Sequence, residues 1–118
     1  MQVNPMKGEM KLRFPSQTIK GRLSVDTILL IEESLGKSIL MIVQNMSEYK
    51  ITLAEMVEVM YYVIKTGGNT HTIADVKQLF NEIGYTEAIK MAGECLAKAI
   101  DPDQHKTQKK KEEKAPVE

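Results

Sequence analysis

The sequence predicts a mainly α domain, in which a small N-terminal β-hairpin packs on a bundle of about five short helices and a charged C-terminal tail follows. Three observations predict it. Apolar residues alternate with polar ones near the N-terminus, later apolar residues recur at helical spacing between capping residues and glycines, and the last stretch is almost without apolar side chains.

The hairpin signal spans residues 9–23. Met10, Leu12 and Phe14 alternate with Glu9, Lys11 and Arg13, which turns one face inward and one outward. Pro15-Ser16 breaks the run, and Ile19, Gly21 and Leu23 then alternate again, so the strands fall at about 9–14 and 18–23. A two-stranded ribbon is marginal alone, so its apolar face must lie on helices.

Helical spacing begins near Ser24 and Asp26, both good N-caps. Ile28, Ile31 and Leu35 form an apolar stripe, and Gly36 is placed to end the helix in a left-handed conformation. A second helix from about Ser38 carries Ile39, Leu40, Ile42, Val43 and Met46. The third opens with Thr52-Leu-Ala-Glu55, a capping box in which the hydroxyl takes the third amide and the carboxylate reaches back. It runs through Met56, Val57, Met60, Tyr61 and Ile64 to Gly67-Gly68. The fourth opens at Thr72 with Asp75 in its first turn and stops at Gly84, and the fifth runs from Thr86 to about Ile100. From Asp101 the chain reads DPDQHKTQKKKEEKAPVE, five Lys against five Asp and Glu, too polar to offset its ordering entropy. The expected organisation is one helical domain over 1–100 and a disordered tail over 101–118.

Composition excludes several classes of function. Lys+Arg and Asp+Glu both number 16 in 118 residues, which argues against a basic nucleic-acid binder and against a polybasic membrane anchor. The single Cys95 cannot form an internal disulfide, and no Cys/His cluster has zinc spacing. Without an apolar run of about 18 residues there is no membrane span, and the N-terminus lacks the apolar stretch of a signal peptide. A cytoplasmic setting is expected.

Motifs for chemistry fail on particular residues. Were Glu55 the last ligand of a calcium loop, Met46 would occupy a ligand position and Tyr49 the obligatory glycine. Gly67-Gly68-Asn69 lacks the Lys-Ser/Thr and the preceding strand of a phosphate loop. Cys95 sits between apolar helical neighbours, His71 and His105 have no ligand partners in sequence, and Glu32-Glu33 diverge by about 100° on a helix. The fourth and fifth helices could form a helix-turn-helix, yet the second carries Glu87, Lys90, Glu94 and Lys98, a balanced set suited to solvent. No enzyme, cofactor or metal site is expected.

Methionine is what stands out, eight of them beside 5% aromatics. Thioethers fill irregular cores and equally line adaptable partner grooves. The segment 38–65 is apolar around much of its circumference: Ile39-Leu-Met-Ile-Val43 is uninterrupted, and Glu58 alone breaks Val57 to Ile64. Helices of this kind are wholly buried or offer a second face to another chain. The second outcome makes Met41, Val43, Met46, Met56, Met60 and Tyr61 candidate partner contacts.

The order of elements resembles a known family. Glu32-Glu33-Ser34-Leu35-Gly36-Lys37-Ser38-Ile39 resembles the E-x-x-L-G-x-S-L signature of small tail-assembly proteins of phages and gene-transfer agents. That family likewise has a strand pair before the signature. An apolar helix, a helix ending near a glycine pair, a T/S-x-x-E/D-V helix start and a final helix follow it. Met10–Leu23, Leu53–Lys65 with Gly67-Gly68, Thr72–Val76, Gly84 and Thr86–Ile100 stand in the same order, over roughly residues 8–100. The resemblance implies a tail assembly chaperone in a bacterial host's cytoplasm. Its partners would be the long helical tape measure protein and the tail tube protein, with homo-oligomers an option. Glu32, Leu35, Gly36, Thr52, Glu55, Gly67, Gly68, Thr72 and Gly84 would then be structural. A small regulatory or adaptor module remains the alternative, and a DNA-binding regulator a more distant one.

Overall fold

Alternating apolar and charged residues form an antiparallel ribbon of β1 (Glu9–Arg13) and β2 (Thr18–Arg22) in the computed structural model, which describes residues 8–100. Each strand ends one residue earlier than the alternation suggests. Met10 lies opposite Gly21 and Leu12 opposite Ile19, and reciprocal backbone bonds between Phe14 and Gln17 close the turn. Leu12, Phe14 and Ile19 are buried while Lys11, Arg13 and Lys20 are exposed, the two-residue period of a half-buried ribbon. The segment 101–118, read above as a disordered tail, lies outside the described residues.

Local capping chemistry sets the helix starts. In α1 (Val25–Leu35), Ser24 accepts the Thr27 amide while the Thr27 hydroxyl accepts the Ser24 amide. Gly36 ends the helix at φ 68°, a region that glycine enters without a β-carbon penalty. Ser38 caps α2 (Ile39–Ser47) by accepting the Met41 amide at 3.1 Å. In α3 (Leu53–Thr66) the Thr52–Glu55 box forms both bonds, at 3.1 and 3.0 Å. Thr72 and Asp75 make the same reciprocal pair before α4 (Ile73–Ile100).

The fourth and fifth helices expected from the sequence run on as α4, broken only at Gly84, whose φ of 84° and ψ of 168° are not helical. Among the described residues there are therefore four helices, the last made of two helical segments that meet at Gly84 without an intervening loop. No turn is inserted, because helical backbone resumes at Tyr85.

At the centre lies α3, packed against β2, α1 and α4. Three neighbours cover most of its circumference, and Met56, Val59, Met60, Val63 and Ile64 have no accessible surface. The two open outcomes for an all-round apolar helix are thus decided for α3 in favour of burial. Gly67 ends it where a β-carbon would overlap the Lys20 carbonyl, and the Asn69 amide donates to Lys20 O at 2.7 Å and Ile64 O at 2.9 Å. Among the described residues, no helix is long and apolar enough to cross a membrane.

Candidate partner-binding cleft

The second helix is covered differently. It packs on α4 and α1 with Ile42 and Met46 buried, leaving Leu40 65% and Met41 48% exposed and Val43 half-buried. Leu40, Val43 and Ser47 recur at i, i+3 and i+7 and share one flank, whereas Met41 lies on the other with Asn45 and Glu48.

At its Ser47 end this flank meets a cleft of about 650 Å3 between the end of α2 and the second half of α4. Met46, Ser47 and Tyr49 form one side; Ile89, Gly93 and Ala97 lie on the other, with the exposed Lys90, Glu94 and Lys98. The helices pass closely at Gly93, where a β-carbon would rest in ordinary contact with the Met46 sulfur at 3.6 Å. The result is a trough with an apolar floor and a charged border, the form in which one helix receives the apolar face of another.

Tyr49 is held at the end of this cleft by an unusual turn. Lys50 N–H donates to Asn45 O at 2.7 Å and Tyr49 N–H to Met46 O at 3.2 Å, the two bonds of a Schellman C-cap. That motif needs a left-handed residue at Tyr49, and its φ is 60°, a conformation normally left to glycine. The ring gains no burial in exchange, being 86% exposed.

The joint between α1 and α2 is pinned by charge. Glu32 accepts the Ile39 amide at 2.8 Å and so satisfies an orphan donor at the start of α2. Lys37 reaches Glu55 at 2.6 Å and ties the joint to the start of α3. That bond from Lys37, followed by the Thr52 amide, holds the Glu55 carboxyl below its ordinary pKa. The Thr72 amide, then its hydroxyl, does the same for Asp75.

The six proposed contacts are therefore not brought together. Met41 is exposed on the far flank of α2, Val43 lies half-buried on the cleft flank, and Met46 is 9% exposed at the cleft floor. Met56 and Met60 are corrected to core residues, enclosed by the neighbours of α3, and offer no surface. Tyr61 is half-buried on α3, edge-on to Tyr62 at 5.0 Å, with Lys65 Nζ 5.8 Å from its ring. Sequence reasoning missed Tyr49 and Ile89 as cleft residues. Ile89 stood in the apolar stripe of the expected fifth helix, but Tyr49 followed a polar stretch and carried no signal.

Reactive groups are few. Burial pushes the Cys95 thiol up to about 12, so it stays protonated at neutral pH. His71 Nε2 lies 3.0 Å from Gln17 Oε1 in an exposed contact. Among the described residues, no three His, Cys, Asp or Glu side chains gather as a metal site. Comparison of the chain with protein-family models, with curated proteins and with solved structures finds no match.

Proposed function

We propose that this chain is a tail assembly chaperone that holds apolar helical segments of a tape measure protein until tail tube subunits replace it. The observation that carries the reading is the α2–α4 cleft, where exposed Tyr49 stands beside apolar Met46, Ile89 and Ala97, and exposed Leu40 continues the α2 flank that enters it at Ser47. The resemblance of Glu32-x-x-Leu35-Gly36-x-Ser38 to the tail-assembly signature supports it from the sequence side. The carboxylate of that motif orients the start of α2, the helix whose far end forms the cleft.

A client helix lays one apolar face in the cleft and keeps its polar face in water. Each contact is small and weak, so many copies coat one long client, and each is released separately as the tube grows. The site of action on this reading is the cytoplasm of a bacterial host.

Co-expression with a tape measure fragment tests it. The unaltered chain is expected to keep the fragment soluble and to co-elute with it on size exclusion. The Leu40→Glu, Tyr49→Glu double variant is expected to lose both effects while its circular dichroism stays helical. A fragment that remains equally insoluble with the unaltered chain would overturn the reading.

A further inference from the structure

A second surface lies on the opposite side of α4, at the edge of the ribbon. Among the described residues β1 has β2 as its sole partner strand, so its other edge is open. The ladder shows which peptide groups face that edge. Leu23 donates to Gly8 O, and Phe14 exchanges both bonds with Gln17. With Met10 opposite Gly21 and Leu12 opposite Ile19, the even-numbered residues bond to β2. The N–H and C=O groups of Glu9, Lys11 and Arg13 therefore point away from it.

A cleft of about 300 Å3 borders this edge. Met10, Lys11, Leu12 and Arg13 line it, two from each face of the ribbon, and no β2 residue joins them. A cavity over one face would collect alternate residues only, so the cleft follows the edge itself. Its far wall is α4, through Met91 and a row of charged side chains. A free strand edge opposite a helix is the geometry in which an extended peptide adds as a further strand.

Charge selects the occupant. Lys11, Arg13, Lys90 and Lys98 line the cleft against Glu87 and Glu94. Lys90 is engaged by Glu87 at 3.9 Å, and the nearby Glu9 carboxylate is taken by Arg22 at 3.1 Å and Lys20 at 3.8 Å. Among the described residues Lys11, Arg13 and Lys98 make no ion pair, which leaves the cleft an excess of positive charge. We propose that the outer edge of β1 binds an extended peptide segment carrying carboxylates on alternate residues. Its acidic side chains share the ribbon face of Lys11 and Arg13, and the residues between them lie on the apolar side with Met10 and Met91. The inference is independent of the helix-binding cleft.

The test uses the full chain and a short blocked peptide of alternating valine and glutamate, with a valine–lysine peptide as control. Amide exchange followed by NMR is expected to find the Glu9, Lys11 and Arg13 amides open in the free protein and slowed by about tenfold or more on adding the acidic peptide. Lys11→Pro removes one outward donor without touching a bond to β2 and is expected to weaken binding about three- to tenfold. Arg13→Glu keeps the backbone and is expected to abolish the preference for the acidic over the basic peptide. The Leu40→Glu, Tyr49→Glu variant is expected to bind the acidic peptide unchanged, which separates this edge from the helix cleft. Edge amides already protected in the free chain, no binding of the acidic peptide, or equal binding of both peptides would overturn the proposal.

Discussion

The hydroxyl oxygens of Thr27 and Thr66 lie 2.7 Å apart, and each also reaches the Arg22 carbonyl, at 3.2 and 3.0 Å. This small polar knot joins the start of α1, the end of α3 and the end of β2. Thr27 has no accessible surface, so its hydroxyl has no water to fall back on. Thr27→Val is expected to lower stability by about 1–3 kcal/mol, read as a shift in urea midpoint at constant slope. Adding Thr66→Val is expected to cost less than the sum of the two single changes, because both remove the same bond.

Truncation separates core from surface. Met60→Ala is expected to cost about 2–5 kcal/mol, since it empties part of a core enclosed on three sides. Leu40→Glu is expected to change stability by less than about 0.5 kcal/mol and still to lose client protection in the co-expression assay. A double Met56→Glu, Met60→Glu variant is expected to unfold, which circular dichroism reads directly.

Tyr49→Gly is expected to raise stability by about 0.5–1 kcal/mol, because the left-handed cost that tyrosine carries exceeds the extra chain entropy that glycine loses. A thermal melt checks that half of the prediction. Client co-elution checks the other half: removing the exposed ring is expected to weaken it. Both outcomes together would explain why a strained aromatic stands where glycine is easier.

Acid should loosen the α1–α2 joint. The folded Glu55 pKa lies below its unfolded value of about 4.3, chiefly through Lys37. Its contribution is therefore complete above that unfolded value and lost as pH falls through the lower folded one. Lys37→Met is expected to flatten the acid limb of a stability-against-pH curve below about pH 4.3 and to lower the neutral plateau by the same small amount, leaving the acid end unchanged.

Cys95 shifts in the opposite sense. Burial raises its pKa, so its contribution holds below the unfolded thiol value of about 8.5 and is lost as pH rises towards the folded value of about 12. At neutral pH the native chain is expected to resist iodoacetamide, with alkylation accelerating in step with urea unfolding.

Features set by near neighbours in the chain were the legible ones. The ribbon from its alternation, the Ser24, Thr52 and Thr72 helix starts, and the break at Gly84 all depend on residues within a few positions of one another. The free face of each apolar helix depends on partners far along the chain. Residues 53–66 read as apolar nearly all round, but β2, α1 and α4 decide that Met56 and Met60 are enclosed. Met46 sits at the cleft floor because α4 passes it at Gly93, a contact between residues far apart in sequence. Tyr49 was hidden for another reason: a left-handed C-cap is normally announced by glycine, and here no such signal exists.

The half of α4 beyond Gly84 stands between two clefts, and Lys90, Glu94 and Lys98 border both. A helical guest on one side and an extended guest on the other would draw on the same three side chains. Whatever factor the first imposes on the affinity of the second must be returned in full. Two ligands that never touch would thus read each other through a single shared wall.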